Sequence, residues 1–152
     1  MLLLMSMPLP ARASDGSVAL AKGKCTLTIV GKLPLAYKRW RELLPVQFAR
    51  VTWLSQFDGV TTPTRPVNVA NETMIYGFAC EPHDCIDNEV DLLASADGTR
   101  VVAIVHLSTS TKKPNGDWAT DTAILVLGSP TPTEVSCLAM LDADKEGRLN
   151  SC

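Results

Sequence analysis

Tyr76-Gly77-Phe78-Ala79-Cys80-Glu81-Pro82-His83-Asp84-Cys85-Ile86-Asp87-Asn88-Glu89-Val90-Asp91-Leu92-Leu93 is an apolar run, a polar knot and a second run rich in apolar residues. Residues 76–79 and 86–93 both read as extended chain, so residues 80–85 form a short connection between two strands. That hexapeptide holds two cysteines, one proline, two carboxylates and one of the two histidines in the chain. Cysteines at this spacing can bring their Cα atoms within the roughly 7 Å that a disulfide tolerates. Pro82 fixes its own φ and biases Glu81 towards extended backbone. The expected product is a stiff, disulfide-closed projection with His83 near its tip, flanked by Glu81 and Asp84.

Moving outward, the pattern is that of an antiparallel meander. Residues 67–69, 73–80 and 89–95 read as strands, and Asp97-Gly98 is a tight-turn dipeptide. Residues 100–108 carry Val101, Val102, Ile104, Val105 and Leu107, the most β-prone segment of the chain. A polar loop is expected at 109–117 and a closing strand at 122–127. Thr131-Pro132-Thr133-Glu134 reads as an N-cap, a first-turn proline and a capping-box glutamate. Val135, Leu138 and Leu141 would form the buried stripe of the helix that follows, with Gly147 as its stop. On the N-terminal side, breaker-rich residues 58–66 read as a loop. Residues 35–48 carry Ala36, Trp40, Leu43 and Leu44 at helical spacing, with Pro45 ending or kinking the helix. A short strand at 26–30 and a turn of helix at 18–22 precede it. The class is α+β: an antiparallel sheet of about five strands with helices packed on one side, and a disulfide-closed protruding loop.

At 152 residues, 46% apolar and 20% charged, the chain has the composition of one globular domain. A net charge of -2 argues against nucleic acid as a partner. No apolar run reaches the roughly 18 residues of a membrane-spanning helix, so no membrane insertion is expected. Residues 1–13 combine an apolar start with Ala11-Arg12-Ala13, a small-x-small cleavage pattern, and read as the remnant of a secretory signal. Residues 14–152 are then the single mature domain. Five cysteines fit an exported protein in an oxidising compartment. With Cys80–Cys85 as one pair, Cys137–Cys152 or Cys25 with either of these remains open, and one thiol is left over.

The chemistry of the hexapeptide has several readings. A zinc site would need ligands from a second segment, since six residues do not easily wrap one tetrahedral ion. His106 is the remaining histidine, and a small metal-dependent hydrolase built on His83, Asp84 and His106 is one rival. A dithiol redox site would need Cys-x-x-Cys at a helix N-terminus. Taken alone, the loop is also simply a turn that ties two strands. A rigid projecting imidazole, however, is well suited to carboxylates, to which it can donate hydrogen bonds. Trp40 and Trp53 read as core residues, whereas Trp118 could belong to a contact surface. The Asp142–Gly147 stretch imitates part of a calcium loop but lacks its closing glutamate. No metal or cofactor is expected.

Cys80-Glu81-Pro82-His83-Asp84-Cys85 resembles the signature loop of the Ivy family of bacterial periplasmic inhibitors of vertebrate, c-type lysozyme. Looser similarity covers Leu27-Thr28-Ile29 and Asp58-Gly59-Val60-Thr61-Thr62-Pro63. The resemblance implies a non-enzymatic periplasmic inhibitor with c-type lysozyme as partner. All six loop residues would form the lysozyme-binding site, with His83 reaching the catalytic carboxylates. It allows a homodimer, since some relatives dimerise. Glu81 stands where some members carry lysine, and the additional cysteines depart from the simplest family pattern. A further alternative is an exported immunity protein directed at another cell-wall hydrolase.

Overall fold

The computed structural model of the protein describes residues 23–24, 29, 32–144 and 147–152. The expected leader at 1–13, the turn of helix at 18–22, Cys25 and all but Ile29 of the strand at 26–30 lie outside the described residues. The chain runs through strand β1 (Gly23–Lys24), helix α1 (Pro34–Leu43), a 3-10 turn (Val46–Phe48) and helix α2 (Thr52–Ser55). Strands β2 (Val60–Thr61), β3 (Pro63–Val69), β4 (Glu72–Glu81) and β5 (Asp84–Ser95) follow. Strands β6 (Val101–Lys112) and β7 (Trp118–Leu127) and helix α3 (Pro132–Ala143) complete it. Among the described residues, no helix is long and apolar enough to cross a membrane.

Among the described residues every strand pair is antiparallel, in the order β1-β3-β4-β5-β6-β7, with β2 also paired to β4. Among the described residues, five long strands and two short ones make up the expected antiparallel sheet of an α+β fold. The helices, however, do not share one side. Residues 88–95 of β5 are all buried, and successive strand residues face opposite ways, so both faces must be covered. Leu92 and Ala94 join Ala36 and Trp40 of α1 in one core, while Leu93 joins Cys137, Leu138 and Leu141 of α3 in the other. The one-sided arrangement expected from sequence is corrected by this double burial, which apolar residues at alternating and intervening positions of β5 and β6 require.

Helix α1 is shorter than its apolar spacing suggested. Pro45 cannot continue the helical ladder and turns Leu44 to extended backbone, so residues 46–48 form a separate 3-10 turn. Trp40 is fully buried, donates its indole N–H to the Leu54 carbonyl at 2.8 Å and stacks on Phe57. The Asp97-Gly98 turn docks on α1. Gly98 has φ +74°, and a Cβ there would lie 2.9 Å from the Ala36 nitrogen.

Two expected loops are largely strand. Residues 63–66 belong to β3 despite two prolines, because among the described residues its outer side is paired only by β1, at Pro63 and Thr64, and by the tail, at Asn68. Proline is tolerated on such a nearly open edge. The polar loop at 109–117 shrinks to a turn at 113–117. Thr109, Ser110 and Thr111 pair with Asp121, Thr120 and Ala119, and the Ser110 and Thr120 hydroxyls lie 3.0 Å apart. β-Branched residues and hydroxyl pairs sustain this exposed hairpin where apolar content does not.

The capping box of α3 forms as expected. Thr131 Oγ1 accepts from the Glu134 amide, and the Thr131 amide donates to Glu134 Oε2 at 2.7 Å. The nearly buried Glu134 also receives both guanidinium nitrogens of Arg100, anchoring α3 to β6's leading end. The Arg100 guanidinium first, then the Thr131 amide and hydroxyl, outweigh burial and hold the Glu134 carboxyl at about 2, against an ordinary 4.5. Because its pKa is lowered in the folded state, its contribution is present above about 4.5 and lost as pH falls towards 2. A drop of about 3 kcal/mol is expected over that window. Unfolding titrations from pH 7 to pH 2 check this: the drop should be smaller by that amount in Glu134→Gln.

Cys137 pairs with Cys152, which closes the choice left open by the sequence. The tail is also held by β3: the Asn68 amide donates to the Asn150 carbonyl, and the Cys152 amide to the Asn68 carbonyl.

Candidate functional site

The β4–β5 connection is tighter than a six-residue loop. Glu81 pairs with Asp84, so Pro82 and His83 alone form the turn. His83 has φ +73°. Proline followed by a residue at positive φ is the pattern of a type II turn, whose third position usually holds glycine. Histidine is among the side chains that adopt this backbone more readily than most, at some strain. Pro82 and His83 are exposed at the tip, Glu81, Asp84 and Cys85 are half-buried, and Cys80 is fully buried at the base. Cys80 and Cys85 are disulfide-bonded, with Cα atoms 4.9 Å apart. The six residues named from sequence are therefore brought together as one stapled tip.

Three further features clamp the hairpin. Cys80 pairs with Glu89, although Glu81 pairs with Asp84. Residues 85–88 are consequently extruded from β5 as a bulge. Its far end is fixed by Asn88, a buried residue whose amide nitrogen donates to Asp84 Oδ2 at 2.7 Å. Asn88 Oδ1 in turn accepts from the Ser108 amide of β6 at 2.9 Å. Asp84 thus contributes one oxygen to the scaffold, through a side chain rather than the loop backbone. On the other flank, β2 pairs Val60 with Cys80. Gly59 lets the chain pass beneath: a Cβ there would sit 2.2 Å from the Cys80 carbonyl oxygen.

Sequence reasoning missed Asn88 and Gly59. Asn88 gave no signal, because its importance arises from a bulge that local propensity does not reveal. Gly59 lay within the quoted 58–63 stretch, but its close approach to Cys80 is a tertiary fact. Gly59→Ala is expected to destabilise the fold by about 1–3 kcal/mol through this overlap. Denaturant unfolding of the variant beside the parent checks this.

The other histidine serves a different place. His106 pairs with Glu89 across β5 and β6 and lines a small recess with Asp91, Ile104, Leu138 and Asp142. Among the described residues, the group of metal-capable donors found close together is Glu89, Asp91 and Asp142, whose ligand atoms lie within 4.8 Å. It includes neither His83 nor Asp84. Tyr76 donates its hydroxyl to Asp91, and burial followed by the Asp91 charge pushes its phenol well up. A larger recess of about 410 Å³ between β3, β4 and α3 is lined in part by Arg65. Arg65 pairs with Asp144 and donates to the Leu149 carbonyl, so it fastens the tail.

The hairpin thus presents an exposed imidazole on a stapled, clamped and acidic tip. The chain belongs to the Ivy family: the family model described as inhibitor of vertebrate lysozyme (Ivy) matches residues 36–146, well over half of the sequence. A search of curated proteins finds no match. The family is one of inhibitor proteins, and two disulfides fit an oxidising compartment outside the cytoplasm.

Proposed function

We propose that this protein inhibits c-type lysozyme in the periplasm by inserting the Pro82-His83 tip into the active-site cleft. The observation that carries the reading is His83 itself: exposed, at positive φ, at the end of a two-residue turn closed by Cys80–Cys85. Retaining glycosidases hold two carboxyls about 5 Å apart across the cleft. An imidazole between them can donate from each ring nitrogen when protonated, or from one when neutral. Glu81 and Asp84 suit the basic surface of a c-type lysozyme, and Asp84 keeps its remaining oxygen for that role.

Inhibition follows from occupancy and requires no bond to be made or broken. A rigid tip binds without the entropy loss that ordering a flexible loop would impose. An exported immunity protein for another cell-wall hydrolase would use the same tip. A panel of c-type, g-type and i-type lysozymes and cell-wall amidases tests the assignment. Selective inhibition of the c-type enzymes supports it, and inhibition confined to another class overturns it. The family resemblance also allows a homodimer, which sedimentation at inhibitory concentrations would detect.

A further inference from the structure

We infer that Ile86 is a second anchor of the lysozyme-binding surface, docking on the apolar wall beside the catalytic carboxylates. The inference rests on the proposed insertion of the His83 tip and extends it to a residue outside the hexapeptide. Ile86 is 89% exposed, the most exposed of the large hydrophobic side chains described. An isoleucine in a strand would ordinarily be turned inward, or replaced by a polar residue on the solvent side. Here it stands on the extruded segment that separates the Glu81–Asp84 pair from the Cys80–Glu89 pair.

That segment is held at both ends. Cys85 is bonded to Cys80, and buried Asn88 bridges Asp84 to the Ser108 amide of β6. Ile86 is therefore displayed from a fixed platform, which is the condition for an apolar side chain to add affinity rather than disorder. It lies three residues from His83, within about 11 Å even along a fully extended chain. A tip that brings His83 to the carboxylates thus brings Ile86 to the adjoining cleft wall.

The chemistry of the target supplies the matching surface. A general-acid carboxyl of this class of glycosidase works because an apolar pocket raises its pKa. A protein inserted beside that acid meets a carboxylate pair and an apolar wall together. His83 answers the first and Ile86 the second.

The test compares Ile86→Ser, Ile86→Leu and His83→Ala for inhibition of a c-type lysozyme, with thermal unfolding measured on each. Val46→Ser, an equally isolated apolar site at 87% exposure on the α1–α2 connection, is the control. Ile86→Ser should weaken inhibition by about 10- to 100-fold, as expected for losing a buried isoleucine contact. Ile86→Leu should retain most of it, Val46→Ser should match the parent, and melting temperatures should not change. Unchanged inhibition by Ile86→Ser, with His83→Ala impaired, would overturn the second anchor and leave the His83 reading intact. Unchanged inhibition by both variants would overturn both.

Discussion

His83→Ala should weaken inhibition of c-type lysozyme by about 100- to 1,000-fold, the scale for truncating one partner of a desolvated, hydrogen-bonded charge pair. Once the tip excludes water, the two carboxylates of the cleft have few alternative donors. Removing the imidazole leaves them facing a methyl group and the flanking Glu81 and Asp84, which repel them. Most of the loss is that uncompensated burial rather than the intrinsic strength of the hydrogen bonds. Stability should fall by no more than about 1 kcal/mol, since His83 is exposed and alanine adopts its positive φ only somewhat less readily than histidine. His83→Asn sharpens the test, because asparagine adopts this backbone readily. It keeps the turn and offers an amide in place of the imidazole. A His83→Asn variant as inactive as His83→Ala would assign the effect to the imidazole and not to the turn.

The second large effect concerns the staple. Cys80→Ser with Cys85→Ser should lower stability by about 2 kcal/mol, because so short a loop restricts the unfolded chain only modestly. The loss of inhibition should be greater, about 100- to 300-fold. Each tip residue left to be ordered on binding costs about 1–2 kcal/mol, and Pro82 and His83 are both held by the turn that the disulfide closes. The Asn88 bridge and the pairing of Val60 with Cys80 keep the hairpin's base in place in the variant. Melting curves and inhibition titrations on the double variant check this. Equal loss in both, or inhibition as tight as the parent, would remove preorganisation as the disulfide's role.

Much of this arrangement was legible in the chain itself. The apolar alternation around residues 76–79 and 100–108 located strands, Thr131 to Glu134 located the start of α3, and the spacing of Cys80 and Cys85 located the staple. Each is a local signal, carried by residues that make their contacts within a few positions or at strand period. The two-sided packing was not legible in the same way. Leu92, Leu93 and Ala94 say that the chain is apolar there, but only the placement of α1 and α3 divides them between two cores. Strand β3 was hidden by Pro63 and Pro66, whose tolerance depends on an outer edge that sequence does not display.

The site divides likewise. The chemistry of the tip was readable as residue types, whereas its support was not. Asn88 and Gly59 act through Ser108 and Cys80, which are 20 and 21 positions away along the chain. His106 illustrates the converse: its residue type suggested a partner for His83, but it pairs with Glu89 and lines a recess under α3.

Occupation of the cleft is tested most directly by competition. Lysozyme would be titrated with the oxidised protein while an oligosaccharide that fills the catalytic subsites is raised to saturation. Cleft insertion predicts that the apparent dissociation constant rises in inverse proportion to the fraction of lysozyme left free of sugar. Binding that is indifferent to the sugar, with inhibition persisting, would contradict insertion of the His83 tip and move the inhibitory surface elsewhere on the protein.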